Sequence, residues 1–277
     1  WENVRIAVPR TIVVTTDWFD RFILENGLQY VIGSDITDAE ILSEFVASTL
    51  PKELADSLRV FVRTTRRPIA VRSSSKLEDS YYQPFAGVYS TCMIPHTDNE
   101  DQQLRLLSKA IKSVYASIYF ASSRGYITST ANVISEEKMA IVLQEVCGSE
   151  DCGRWFPAIS GVARSVNFSP IGNETPTDGM VKLAYGLGKT VVDGETVLRF
   201  SPKFPRNVLQ TSTPELTMTQ TQTSMLALNL RPERFKTSVD DAVNLERIAV
   251  ADCGQFRSFR NVVSTWDFEN MRMVDSA

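Results

Sequence analysis

The feature that most constrains this fold is a change in hydrophobic period near the middle of the chain. Between about residues 99 and 124, apolar side chains recur at spacings of three and four, which predicts one long amphipathic helix. Short apolar runs, typical of strands, follow at residues 139–146, 160–168, 180–184 and 196–200. A helix-rich first half and a strand-rich second half predict an α+β fold.

The length and charge of the chain narrow the class of protein. Its 277 residues are enough for a core divided between two lobes. The net charge of −4 argues against a general nucleic-acid binder, and no uncharged apolar run approaches the roughly 20 residues that span a bilayer. The chain begins at Trp1, with neither an initiator Met nor a signal-like segment, so we expect a piece of a longer protein with no membrane partner.

The four cysteines predict reduced thiols in a cytoplasmic protein, because their spacings match no zinc motif and their number is low for a disulfide scaffold. A metal site built from Cys147, Cys152 and His96 is disfavoured by poor ligand spacing. His96 lies in a polar stretch, which predicts a solvated loop histidine.

Residues 68–91 carry the first candidate site. An apolar run ends at Arg72 and is followed by Ser73 and Ser74, an acidic pair at residues 78–79, and a Phe85-Ala86-Gly87 turn. The planar guanidinium suits phosphate oxygens, and the hydroxyls and the backbone beside Gly87 can donate to the same anion. The alternative is a polar loop in which Arg72 pairs with one of the two acids.

Two further segments have the composition of ligand-binding turns. Residues 139–148 form a predicted strand that ends in Gln144, Glu145 and Val146, and an exposed strand end of this kind can read an adenine edge. A core strand followed by a turn is the alternative. In residues 179–194, a predicted strand leads into Gly186, Leu187 and Gly188. Lys189 follows directly, either as a phosphate ligand or as a surface charge.

Residues 211–224 are rich in Thr and Ser and contain few large apolar groups. This composition is typical of a linker or of an edge strand. The residues beyond it are weakly patterned, with possible strands at residues 247–250 and 261–266.

Taken in order, these segments resemble the nucleotide-binding domain of the pyruvate phosphate dikinase and phosphoenolpyruvate synthase family, whose fold is of the ATP-grasp type. The resemblance covers about residues 6–200. The matching motifs are Ala70-Val71-Arg72-Ser73-Ser74, Glu78-Asp79, Phe85-Ala86-Gly87, Tyr115-Ala116-Ser117, Val142-Leu143-Gln144, Ser160-Gly161-Val162-Ala163, Tyr185-Gly186-Leu187-Gly188 and Val191-Val192-Asp193-Gly194. No single motif is specific for this family, whereas the occurrence of all of them in this order is specific.

The resemblance implies that ATP binds with Mg²⁺ between a first lobe at residues 1–130 and a second lobe at residues 131–210. Residues 211–277 would form a linker or tail toward downstream domains. Arg72 would hold the phosphates as the catalytic residue, and the turn from Phe85 to Thr91 would cover them, with Thr91 on the phosphate side. Residues 144–146 would line the adenine pocket. Glu174 and Asp178 are the nearest candidates for metal ligands.

In that family the nucleotide domain passes a phosphoryl group to a histidine on a separate swivelling domain, and a barrel domain then makes phosphoenolpyruvate from pyruvate. We therefore expect this piece to be inactive alone. Lys189 stands where the family usually has Glu, and Asn167 and Ser169 replace acidic residues. These departures leave open a non-catalytic nucleotide sensor or scaffold. A related dikinase for a glucan or an antibiotic shares the same nucleotide motifs.

Overall fold

A computed structural model describes residues 4–32, 34–76, 78, 89–129, 137–249, 252, 256 and 263–275. The α-helices are α1 (Thr16–Glu25), α2 (Asp38–Ala47), α3 (Lys52–Thr64), α4 (Glu100–Ala116), α5 (Ala121–Ser129), α6 (Lys189–Val192) and α7 (Pro214–Gln220). The first five β-strands are β1 (Thr11–Val14), β2 (Ile69–Ser75), β3 (Thr91–Ile94), β4 (Met139–Glu145) and β5 (Ser149–Asp151). The remaining strands are β6 (Arg154–Phe156), β7 (Ser160–Arg164), β8 (Met180–Ala184), β9 (Leu198–Phe200), β10 (Ser224–Asn229), β11 (Leu245–Ala249), β12 (Ser264–Asp267) and β13 (Arg272–Asp275).

This mixture of helices and sheets agrees with the predicted α+β class. The chain divides into two compact units, each made of two separate stretches of sequence. Unit 1 contains Trp1–Cys147 and Asn229–Asn244, and unit 2 contains Gly148–Leu228 and Leu245–Ala277. The lobe boundaries expected at residues 130 and 210 stay a prediction.

Unit 1 is built on a four-stranded antiparallel sheet in the order β1-β4-β2-β3. Successive side chains of a strand point to opposite faces, so one face of this sheet carries Ile69, Val71 and Leu143, all completely buried. Helices α1 and α4 contact this face and share a single hydrophobic core with it. The opposite face carries Arg72, Gln144 and Thr91. The strand register pairs Arg72 with Thr91 and Ala70 with Gln144, and this places all three side chains on the same side of the sheet.

The helix predicted over residues 99–124 is interrupted. Helix α4 ends at Ala116, a 3₁₀ turn follows at Ser117–Tyr119, Phe120 is extended, and α5 begins at Ala121. The serine hydroxyls explain the break, because Ser117 donates to the carbonyl oxygen of Val114 and Ser123 donates to that of Ser117. Such local bonds compete with the helical hydrogen-bond ladder.

Unit 2 contains a sheet in the order β11-β10-β6-β5, a three-stranded antiparallel sheet β7-β8-β9 and a hairpin of β12 and β13. Strand β10 carries four buried residues in succession, Met225 to Leu228, because it lies inside its sheet. Met225 and Ala227 pack with Phe156 and Phe256 in the core of this unit.

Residues 211–224, predicted as a linker or an edge strand, contain helix α7 instead. Thr213 caps it by accepting a hydrogen bond from the amide of Leu216, and Pro214 occupies the first helical position. Thr217 and Thr219 each donate a hydroxyl to the carbonyl four residues earlier. The hydroxyl groups of these two threonines thus have hydrogen-bond acceptors within the helix. The polar composition therefore does not indicate an extended segment here.

Within the part of the chain that the structure describes, no helix is both long enough and apolar enough to cross a bilayer.

Candidate nucleotide-binding site

Arg72 lies on the open face of the unit 1 sheet, where β2 passes between β4 and β3. Its side chain is exposed, and one guanidinium nitrogen, Nη1, donates to Oε1 of Gln144 over 3.4 Å. Arg72 forms no ion pair with the described residues, so the alternative in which Glu78 neutralises it is wrong. Asp79, the other acid of that alternative, lies outside the described residues. A guanidinium held by one long hydrogen bond is available to an anion.

The side chain of Gln144 fixes the position of Arg72. Its Nε2 donates to Oγ1 of Thr11 over 3.0 Å, and Thr11 in turn donates to the carbonyl oxygen of Pro9. This chain of hydrogen bonds joins strands β1, β4 and β2. Gln144 is therefore a positioning residue for the guanidinium, a role that its place in a predicted strand did not indicate.

Two backbone N–H groups at the strand end expected to read adenine are already used by neighbouring segments. The N–H of Glu145 donates to the carbonyl of Arg10 over 3.0 Å, and the N–H of Val146 donates to that of Pro68 over 2.9 Å. A base at this strand end must therefore use other polar atoms as its hydrogen-bond partners.

The serines after Arg72 divide between two roles. Ser73 donates its hydroxyl to Oε1 of Glu78 over 2.8 Å, and the amide of Ser75 donates to Oε2 over 3.0 Å. Glu78 thus fixes the start of the loop rather than pairing with Arg72. Ser74 lies on the same face of β2 as Arg72 and is half-buried. The predicted turn residues Phe85, Ala86 and Gly87 lie outside the described residues.

Thr91, the cross-strand neighbour of Arg72, is hydrogen-bonded to a carboxylate from a distant part of the sequence. The backbone amide of Thr91 donates to Oδ2 of Asp241 over 3.2 Å. Asp241 belongs to the stretch Asn229–Asn244 that returns to unit 1, where Phe235 packs against the core. Sequence analysis missed Asp241 because its segment was assigned to a tail, and no local pattern brings residue 241 to strand β3.

In unit 2, the glycine-rich turn after β8 leads into the short helix α6. Gly186 has a φ of +78°, and a β-carbon there would lie 2.6 Å from the carbonyl oxygen of Leu226. Its own carbonyl accepts a 2.8 Å hydrogen bond from the hydroxyl of Ser160. Gly186 is therefore required by the packing of the turn. Gly188 differs, because a β-carbon there would meet only Ser160 at an ordinary 3.6 Å.

Lys189 begins helix α6, and its ammonium lies 3.2 Å from Oδ1 of Asp193, one turn further along. About a fifth of its side chain is exposed. This contact supports the reading of Lys189 as a paired charge, while its location directly after Gly188 is the one expected of a phosphate ligand.

Glu174 and Asp178, the candidate metal ligands, are each held by protein donors. Burial opposes ionisation of Glu174, but hydrogen bonds from the Ile171 amide, Asn167 and Arg199 outweigh it and lower the pKa of this carboxyl. The same guanidinium donates to Oδ1 of Asn167 over 2.9 Å and to the carbonyl of Ser169. Lys203 donates to Asp178 over 2.8 Å and, with the Thr175 amide, lowers its pKa.

These contacts favour structural roles for both carboxylates. Among the described residues, no three His, Cys, Asp or Glu side chains converge on a point where a metal ion fits. His96 is half-buried rather than solvated, with Nε2 3.3 Å from Asp98. Cys92, Cys147 and Cys152 are free thiols. The chemistry of Arg72 fits the phosphates of a nucleotide, whereas the described acids do not form a preassembled magnesium site.

An exposed arginine on an open sheet face in unit 1 and a glycine turn before a short helix in unit 2 are each compatible with phosphate binding. The sequence model of one family, described as "Pyruvate phosphate dikinase, AMP/ATP-binding domain", matches residues 1–244. The chain belongs to this family.

Three named proteins are similar to the chain. It is 32% identical over 189 residues to the uncharacterized phosphotransferase YvkC of Bacillus subtilis (strain 168), covering 68% of this chain and 20% of that protein. It is 24% identical to the phosphoenolpyruvate synthase of Aeropyrum pernix, covering 69% of this chain and 24% of the relative. It is 25% identical to the probable phosphoenolpyruvate synthase of Methanocaldococcus jannaschii, covering 69% of this chain and 16% of that protein. The chain thus spans a quarter or less of the length of these relatives.

Proposed function

We propose that the chain is the ATP-binding part of a cytoplasmic phosphotransferase of the dikinase type. Its fold is of the ATP-grasp type, as the family resemblance implies, and binds ATP with Mg²⁺. The phosphoryl group passes to a histidine on a separate domain, and a pyruvate- or phosphoenolpyruvate-binding domain completes the reaction. The family membership and the three phosphotransferase relatives support this proposal.

The observation that carries the proposal is the state of Arg72. A guanidinium that forms no ion pair keeps its charge and its hydrogen-bond donors available to an anion. Arg72 is exposed, free of ion pairs within the described residues and hydrogen-bonded to Gln144. This arrangement is preorganised for a polyanion such as a triphosphate.

In the proposed reaction, the residues of this chain bind and orient. Arg72 neutralises charge on the phosphate oxygens while the P–O bond to the leaving nucleotide breaks and a P–N bond to the acceptor imidazole forms. The leaving oxygen keeps the electron pair of the broken bond. Mg²⁺ carried in with the nucleotide would supply further neutralisation of the phosphate charge. Such transfer depends mainly on positioning and on charge stabilisation, and Gln144 and Thr91 contribute to the first.

Calorimetric titration with Mg²⁺-ATP tests the role of Arg72. We expect Arg72→Ala to weaken binding at least tenfold, because a charge-assisted contact to phosphate contributes about 1.5–3 kcal/mol. Lys52→Ala, which removes an exposed cation at the start of α3, is the matched control and is expected to bind like the wild type. Equal affinities of the Arg72→Ala variant and the wild type would remove Arg72 from the site.

A second candidate function is a non-catalytic nucleotide sensor or scaffold. It is favoured by Arg199, whose guanidinium contacts Asn167, Ser169 and Glu174, and by the ion pair of Lys189 with Asp193. Arg199 thus lies next to Glu174, one of the two carboxylates considered as metal ligands. Incubation of the full-length parent protein with ATP labelled at its phosphates separates the two functions. Label recovered on a histidine supports transfer, and binding without label on any histidine supports the sensor.

A further inference from the structure

A groove on unit 1, remote in sequence from Arg72 and Gln144, has the properties of a second anion site. It lies between the C-terminal end of α2, helix α3 and helix α4, and encloses about 550 Å³. This volume is within the range of small-molecule sites. Leu50, Ala55 and Leu104 form an apolar wall.

Helix α4 supplies three cations to the same groove. Arg105, Lys109 and Lys112 are spaced by four and three residues, which places them on one face of the helix over a rise of about 10 Å. Arg105 and Lys109 are exposed, and neither forms an ion pair within the described part of the chain. Clustered like charges repel one another unless an anion joins them.

Lys112 is the buried member of this set. Only 8% of the residue is exposed, and its ammonium donates to the carbonyl oxygens of Val46 and Ser48 over 2.6 and 2.9 Å. An ammonium has three hydrogens, so one remains for a ligand. Burial, and after it the positive charge of Lys109, lowers the pKa of Lys112. A bound anion relieves this repulsion.

The acidic residues at the rim are already neutralised. Asp101 also lines the groove, but it pairs with Arg59 over 2.8 Å, and Glu100 pairs with both Arg59 and Arg63. Two carboxylates and two guanidinium groups therefore balance, and the charge of the three cations on α4 is not compensated by these residues.

We propose that this groove binds a small organic phosphate. Its apolar body would lie against Leu50 and Leu104, and its phosphate would contact Arg105, Lys109 and Lys112. The combination of three cations with an apolar wall fits an organic phosphate better than inorganic phosphate alone. This site is independent of the proposed ATP site, because it shares no residue with it.

Titration with phenyl phosphate, followed by amide NMR, tests the proposal. Phenyl phosphate carries a phosphate on an apolar ring, and inorganic phosphate at equal ionic strength is the comparison. We expect phenyl phosphate to shift the amide resonances of Ser48, Leu50 and Lys109, and inorganic phosphate to shift them only at higher concentration. If neither compound moves these three resonances, the groove is not an anion site, whatever happens at Arg72.

A charge-matched pair of variants sharpens the test. The double variant Arg105→Gln/Lys109→Gln removes two exposed cations from the groove, and Arg5→Gln/Lys236→Gln removes two exposed cations elsewhere. We expect the first to weaken phenyl phosphate binding in the groove at least tenfold and the second to change it less than twofold. Equal weakening by the two variants would show a general effect of net charge and would overturn the proposal. Mg²⁺-ATP affinity is expected to be unchanged in both.

Discussion

Cys92 shows how burial sets the chemistry of a single side chain beside the candidate site. It lies on β3, directly after Thr91, with only 7% of the residue exposed. Burial, helped by the negative charge of Asp241, raises the pKa of its thiol to about 12. An unfolded chain ionises its cysteines near pH 8.5. The folded state therefore gains stability from the neutral thiol, fully present below about pH 8.5 and lost as the pH rises toward 12.

We expect the free energy of unfolding of the wild type to fall by up to about 1.4 kcal/mol per pH unit from this thiol alone above pH 8.5. Urea unfolding at several pH values, compared with Cys92→Ala, measures the effect, because the variant lacks the ionisable group. The gap between the two proteins should narrow as the pH rises. A gap that stays constant between pH 8 and 10.5 would contradict the raised pKa.

At the scale of the element, the turn between β8 and α6 contains two glycines with different physical requirements. Alanine at Gly186 must adopt a positive φ and bring its β-carbon within 2.6 Å of the Leu226 carbonyl. Gly188 has a φ of −65° and room for a β-carbon. We expect Gly186→Ala to lower the free energy of unfolding by about 2 kcal/mol or more, and Gly188→Ala to change it by less than about 0.5 kcal/mol.

Differential scanning calorimetry measures both variants, and calorimetric titration adds their affinity for Mg²⁺-ATP. Under the proposed function, Gly188→Ala weakens ATP binding without loss of stability, because its new methyl group meets the ligand rather than the protein. A Gly188→Ala variant that binds ATP like the wild type would exclude close approach of the phosphates at this turn. A Gly186→Ala variant as stable as the wild type would contradict the packing argument.

Most elements with a clear hydrophobic period could be predicted from the sequence, and those that depend on side-chain hydrogen bonds could not. Strands β2, β4 and β8 are found where alternating or continuous apolar runs place them. The break after Ala116 was missed because apolar spacing does not report the hydroxyl bonds of Ser117 and Ser123. Strand β10 was missed because a Thr-rich stretch precedes it.

The residues of the candidate site divide in the same way, into those that a local sequence pattern predicts and those that depend on contacts between distant segments. Arg72 could be predicted from its place at the polar end of an apolar run, because that pattern is local. The role of Gln144 in orienting it could not, since the contact depends on the register of β2 against β4, 72 positions apart in sequence. For the same reason, the sequence did not indicate that the backbone N–H groups of Glu145 and Val146 donate to the carbonyls of Arg10 and Pro68.

At the scale of the whole molecule, each compact unit is made of two separate stretches of sequence. Asn229–Asn244 leaves unit 2 and completes unit 1, where Phe235 joins the core and Asp241 meets Thr91. Asn244 closes this stretch on itself, because its side chain accepts from the amide of Lys236 and donates to its carbonyl, each over 2.8 Å. A stretch late in the chain thus supplies a hydrogen bond to the strand that neighbours Arg72.

Two variants of Asp241 separate its hydrogen bond from its charge. Asn at this position keeps a side-chain oxygen that accepts from the amide of Thr91, whereas Ala removes the acceptor and leaves that amide without its partner. We expect Asp241→Ala to increase hydrogen exchange at Thr91 at least tenfold and to weaken Mg²⁺-ATP binding severalfold, since β3 loses its anchor. Asp241→Asn should stay close to the wild type in exchange.

Hydrogen exchange followed by NMR at the Thr91 amide, with the amide of Leu226 in unit 2 as an internal reference, makes the measurement. Equal protection of Thr91 in the wild type and the Ala variant would show that the returning stretch does not stabilise the strand. Loss of ATP affinity in the Asn variant at unchanged exchange would show instead that the charge of Asp241 acts on the ligand. The two results assign different physical roles to the same carboxylate, and the exchange rates distinguish them independently of ATP.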